Sequence, residues 1–94
     1  MIDTEPNSEW KPIDDALLEE CAKKRKIKKL TVKEITKDVY VIDILLTWRS
    51  ETNRLCLKRY RARQRTFKSL DRLKTYLKER KVDQTIFLEL LKEE

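Results

Sequence analysis

DVYVIDILLTWRSETNRLCLKRYRARQRTF, residues 38–67, reads as a β-hairpin with an apolar first arm and an arginine-rich second arm. In the first arm Tyr40, Ile42, Ile44, Leu46 and Trp48 are all apolar, whereas Val39, Val41, Asp43, Leu45 and Thr47 are mixed. Alternation with a period of two marks a strand with one face in a core. Ser50, Glu51, Thr52 and Asn53 then supply a polar turn. Without glycine, a four-residue loop suits it better than a tight primed turn.

A hairpin symmetric about that loop sets Leu55 opposite Trp48 and Leu57 opposite Leu46 on the core face. Carried on unbroken, the same register puts Arg59 opposite Ile44 and Arg61 opposite Ile42. Unpaired guanidinium groups there would cost several kcal/mol each. A β-bulge near Lys58 and Arg59 removes the conflict, because one extra residue moves the following side chains to the other face. Tyr60 and Ala62 then turn inward, and Arg61, Arg63 and Arg65 form an outward ladder with Asp43 opposite Arg61. A short loop at Arg59 to Arg63 also leaves the arginines outside.

Working outward, Leu30, Val32 and Ile35 with Thr31 and Thr36 predict a preceding strand, and Lys37 and Asp38 a turn. Before it, Asp14 or Asp15 caps a helix to about Lys26 with Leu17, Leu18, Cys21 and Ala22 as its apolar stripe. The run KKRKIKK, Lys23 to Lys29, has the composition of a nuclear-import or nucleic-acid contact segment, and equally of a solvated helix end. After the hairpin, Ser69 caps a helix to about Lys81 that lines up Leu70, Leu73, Tyr76 and Leu77. Thr85 to Leu91 reads as an edge strand or a short helix, with the strand favoured. The order is α-β-β-β-α followed by that last element. It describes an α+β domain, a small antiparallel sheet with helices packed on one face, over residues 13–94. Residues 1–12 read as a flexible acidic leader whose Trp10 folds back onto a core edge or anchors a partner.

The 94 residues suffice for one modest core, and Asp43 interrupts the longest apolar run, so no membrane partner is expected. No secretory signal is visible, which points to the cytoplasm, or to the nucleus in a eukaryote. In either compartment Cys21 and Cys56 are expected as reduced, buried thiols. The chain has neither glycine nor histidine. That excludes phosphate-cradling loops, dinucleotide fingerprints and nucleophile elbows, and removes the commonest general base and zinc ligand. The expectation is a protein that is no enzyme and that holds no cofactor or metal.

What remains is charge. The net charge of +6 is segregated: seven carboxylates against one lysine give −6 over residues 1–20, and twelve Lys and Arg against two carboxylates give +10 over residues 54–81. Solvated faces usually mix signs, and guanidinium groups fork two donors toward an anion. Lys58, Arg59, Arg61, Arg63, Arg65, Lys68 and Arg72 are therefore the candidate nucleic-acid contacts, with DNA favoured over RNA. An acidic protein docking on the same face is the rival partner. The leader, as an internal mimic, is expected to compete for it. Val39, Val41 and Leu45 look too apolar for full exposure, which predicts pairing of two copies as a homodimer.

The succession of three strands and a helix, with Phe67, Lys68, Ser69 and Leu70 at the junction, resembles integrase arm-type and AP2-like DNA-binding domains. That resemblance implies a basic sheet lying in the major groove. With the preceding helix the order also resembles a double-stranded-RNA-binding domain, although Lys68, Ser69, Leu70 and Asp71 stand where that family has a glycine and lysine signature. Small bacterial proteins of similar order from Leu17 to Leu90 imply no activity.

Overall fold

The computed structural model describes residues 10–57 and 60–91, and of residues 57 and 60–62 the backbone alone. Along the chain come β1 (Lys11–Ile13), α1 (Asp15–Lys23), β2 (Ile27–Thr36), β3 (Val39–Leu46), β4 (Thr52–Leu57), β5 (Tyr60–Gln64), α2 (Leu70–Glu79) and β6 (Ile86–Glu89). The strands form one sheet in the order β1-β4-β3-β2-β6, with β5 joined to β4 off that path. The class is α+β, as the sequence implies. The sheet is mixed rather than wholly antiparallel, because β1 pairs with β4 and β6 with β2 in parallel. Residues 11–13, at the border assigned to the leader, are the strand β1.

The centre of the sheet is the β2–β3 hairpin, whose register sets Leu30 beside Ile44 and Val32 beside Ile42. Its turn requires a left-handed residue, and Asp38 takes φ 60° there. A short polar side chain tolerates that conformation best after glycine. The Glu34 carboxylate accepts the Asp38 N–H at 2.9 Å and ties the turn to the strand.

Both helices begin as their sequences dictate. The Asp14 side chain accepts the Leu17 N–H at 2.9 Å, and Ser69 Oγ accepts the Arg72 N–H at 3.1 Å. Each replaces one of the partners that a first helical turn lacks. Leu18 and Cys21 of α1 and Leu73, Tyr76 and Leu77 of α2 meet Leu30, Val32, Tyr40, Ile42, Ile44, Leu46 and Leu55 in a single core. The helices thus cover the sheet face that carries the even-numbered residues of β3.

Four hairpin expectations need correction. The loop after β3 spans residues 47–51, and Asp43 pairs with Arg54, Ile44 with Asn53 and Leu45 with Thr52. Thr52 and Asn53 are strand rather than turn, so Leu55 does not face Trp48. Trp48 lies past the end of β3 and is 52% exposed, outside the core. The second arm is not one bulged strand: β4 ends at Leu57 and β5 pairs back onto β4, Cys56 beside Gln64. The bulge placed at Lys58 and Arg59, and the inward turn of Tyr60 and Ala62, fall on residues or side chains outside the described set. Finally, the partner of Asp43 is Arg54, at 2.6 and 3.0 Å, rather than Arg61.

The outer sheet face is not open either. Val41 is fully buried, Cys56 is buried, and Val39 and Leu45 are half-buried. Of the three residues expected on a homodimer face, Val41 is thus covered within one chain, whereas Val39 and Leu45 keep part of their surface exposed. Arg54 closes part of that face, donating to Asp43 and, at 3.0 Å, to Gln64 Oε1, with its guanidinium 5.3 Å from the Trp10 ring. Among the described residues no helix is long and apolar enough to cross a membrane.

Candidate nucleic-acid interface

The expected contacts sort into three groups. Lys58 and Arg59 lie outside the described residues, and Arg61 is placed only through its backbone in β5. Arg63, Lys68 and Arg72 are exposed. Arg65 is half-buried and is not part of an outward ladder, because β5 has ended one residue earlier and the chain turns toward α2.

Backbone bonding fixes that turn. The Arg65 N–H donates to the Leu55 carbonyl at 2.8 Å, and two residues later Phe67 and Tyr40 exchange N–H to carbonyl bonds of 2.9 Å in each direction. Phe67 is thereby drawn over the core edge, where its ring lies 5.1 Å from that of Tyr76, tilted by 59°. The Arg65 guanidinium rests on both rings, 4.8 Å from the Tyr76 centroid and 5.2 Å from that of Phe67. An open cleft of about 480 Å³ follows, floored by Phe67 and Tyr76 and rimmed by Arg65, Arg72, Thr75 and the carboxylates Asp71 and Glu79. Asp71 sits in the first turn of α2, where a carboxylate meets the positive end of the helix.

A second guanidinium lies against Tyr76: that of Arg80, 3.9 Å from the ring centroid. Arg80 also reaches Asp15 and Glu19 of α1, each at 3.5 Å, and so binds the end of one helix to the other. Burial, partly offset by the charge of Arg80, pushes the Tyr76 phenol up from its ordinary value, and its hydroxyl has no hydrogen-bond partner among the described residues. Arg54 and Arg80 are therefore committed to carboxylates. Among the described residues, Arg63, Lys68, Arg72, Lys74 and Lys78 of the β5–α2 connection and of α2 are exposed.

Assigning Trp48 to the core hides its place beside the basic run Lys23–Lys29, where its ring is exposed. The Thr47 N–H donates to the Lys26 carbonyl at 2.8 Å, which fastens the β3–β4 loop to the basic run after α1. There the Arg49 guanidinium lies 4.5 Å over the exposed Trp48 ring, and Arg49, Lys24 and Lys26 all act electrostatically on Cys21. Within the run Arg25 adopts φ 57°, Lys24 pairs with Glu20 at 2.9 Å, and Ile27 is buried at the start of β2. The run therefore leaves α1 at Lys23 and enters β2 at Ile27, with its lysines and Arg25 exposed and one isoleucine as its anchor. The exclusion of Trp48 from the core was not readable, because its position continues the apolar alternation of β3.

Among the described residues no three side chains of metal-ligating type come together, and both cysteines are free and buried. Burial raises the thiol of each above its ordinary value. Buried thiols held in the neutral form are poor nucleophiles. Comparison with known proteins finds no matching family model, no matching curated protein and no matching solved structure.

Proposed function

We propose that this protein is an accessory or regulatory nucleic-acid-binding protein that grips phosphates, those of duplex DNA in preference to RNA, through the surface running from β5 to the first turn of α2. The observation that carries the reading is Arg65, its guanidinium lying over the rings of Phe67 and Tyr76 beside exposed Lys68 and Arg72. A guanidinium held against aromatic rings loses less rotamer freedom on binding than a lone surface cation, and its fork of donors suits phosphate oxygens. The start of α2 adds the positive end of a helix dipole. The excess of ten positive charges over residues 54–81 supplies long-range attraction.

A fluorescent DNA duplex, an RNA duplex of equal length and a polyglutamate peptide, titrated by anisotropy at low salt, test the proposal. The order of affinity expected is DNA, RNA, polyglutamate. The variant Arg63→Ala/Lys68→Ala/Arg72→Ala, which alters exposed side chains only, is expected to bind DNA at least about tenfold more weakly, three phosphate contacts being lost. Tighter binding of polyglutamate than of DNA would assign the face to an acidic protein instead.

A further inference from the structure

We propose that two copies of this chain pair edge to edge through β6, in antiparallel register about Leu88, to give one sheet continuous across a two-fold axis. The inference is independent of the nucleic-acid reading and starts from a mismatch between the composition of β6 and its place in the fold. Ile86, Phe87, Leu88, Leu90 and Leu91 are interrupted only by Glu89. By its register with β2, β6 turns Ile86 and Leu88 to the helix side of the sheet and Phe87 and Glu89 to the other. Large apolar residues on both faces are the pattern of a strand enclosed on both sides. Yet β6 is the last strand of its sheet, and Phe87, Leu88, Leu90 and Leu91 are each about half exposed, between 48% and 53%.

Such an edge is an unprotected template. Natural sheets guard their edges with charged side chains, proline or bulges; residues 86–91 contain no proline, and their single charge, Glu89, lies 3.8 Å from Lys33 of the neighbouring strand. Among the described residues β6 pairs with β2 alone, so its far side presents unpaired N–H and carbonyl groups. An antiparallel strand satisfies them, and a second β6 is an antiparallel match to the first under a two-fold axis.

Side-chain chemistry selects the register and the partner. With Leu88 opposite Leu88 of the second copy, Ile86 falls opposite Leu90, and the helix side of the junction is wholly apolar. On the other side Phe87 falls opposite Glu89 of the second copy. Phe87 already carries the Lys29 ammonium 4.9 Å from its ring, so each Lys29 gains a carboxylate across the junction. Glu89 already lies 3.8 Å from Lys33 of its own chain, which places opposite charges on both sides of the new ladder. Centring on Glu89 would instead set two carboxylates face to face, which is unfavourable. β5 joins β4, which β3 and β2 separate from β6, so pairing here leaves β5 uncovered.

Sedimentation equilibrium over a range of concentrations reads the association directly. The wild-type chain is expected at twice its monomer mass. Leu88→Lys is expected to weaken association by about 30-fold or more, as loss of a central anchor does, with an unchanged circular dichroism spectrum because Leu88 is 53% exposed. As a check independent of that variant's folding, Leu88→Cys should form a disulfide-linked dimer under mild oxidation, since directly opposed antiparallel residues lie within disulfide reach. The native thiols are buried and do not compete. A wild-type chain monomeric at every concentration, a folded Leu88→Lys variant that still dimerises, or a Leu88→Cys chain that does not cross-link would each overturn the proposal.

Discussion

Replacing Arg54 by methionine is expected to be among the most damaging single changes to this fold, although Arg54 belongs to no apolar cluster. Its guanidinium donates to both Asp43 oxygens, at 2.6 and 3.0 Å, and to Gln64 at 3.0 Å, and lies 5.3 Å from the Trp10 ring. The pair links β3 to β4, while Gln64 brings in β5 and Trp10 precedes β1. The Arg54 and Asp43 side chains are only 11% and 15% exposed, so the screening that reduces surface pairs to about 0–1 kcal/mol is largely absent. Methionine preserves much of the stem and leaves the Asp43 carboxylate buried without its counter-ion. Breaking one side of a buried pair costs about 3–5 kcal/mol, and lost contact with the Trp10 ring adds about 0.5–1. Urea unfolding should therefore show a loss of about 3.5–6 kcal/mol, a large share of the stability of a domain of this size. The double variant Arg54→Met/Asp43→Leu should recover most of it, because removing both charges also removes their desolvation cost. A loss below about 1 kcal/mol in the single variant, or no recovery in the double, would refute the claim that this pair holds the outer face together.

Two further perturbations probe the core and its thiols. Leu46→Ala, at a residue 1% exposed, should cost about 2–5 kcal/mol in urea unfolding, and a cost below about 1 would mean that the faces of β3 are misassigned. Because burial raises the Cys21, Cys56 and Tyr76 groups in the folded chain, their contribution to stability is complete below the ordinary thiol value of 9.0 and is lost as pH rises through the folded-state values. The variant Cys21→Ala/Cys56→Ala should accordingly show a shallower alkaline decline in unfolding midpoint than the wild type; parallel declines would exclude the thiols as its source.

The parts of this fold that were legible are those written in local chemistry. Tyr40, Ile42, Ile44 and Leu46 announce the buried face of β3 by alternation alone, and Asp14 and Ser69 announce helix starts as side chains able to accept an orphan N–H. Residues 86–89 prove to be the edge strand that Ile86 and Phe87 suggest. Hairpin register is illegible because residues 47–53 contain no glycine to mark where the chain reverses, so the sequence places the turn too late and Asn53, buried on the core face, reads as loop. Pairing of β1 with β4 joins residues some forty positions apart and leaves no local mark. At the candidate interface the difficulty was of another kind. Arg54, Arg65 and Arg80 are chemically identical in the sequence, and only the fold decides that the first and last face carboxylates while the middle one lies on Phe67 and Tyr76. Charge density locates a basic region; it does not say which of its guanidinium groups remain available.

That availability is measured most directly by the salt dependence of binding to a DNA duplex. If four to seven of Lys58, Arg59, Arg61, Arg63, Arg65, Lys68 and Arg72 contact phosphate, the slope of log affinity against log salt should lie at roughly −4 to −6, each contact contributing about −0.9. Arg63→Ala/Lys68→Ala/Arg72→Ala should flatten it by roughly 2 to 3. A wild-type slope near zero, or identical slopes for the two proteins, would contradict phosphate recognition by this surface.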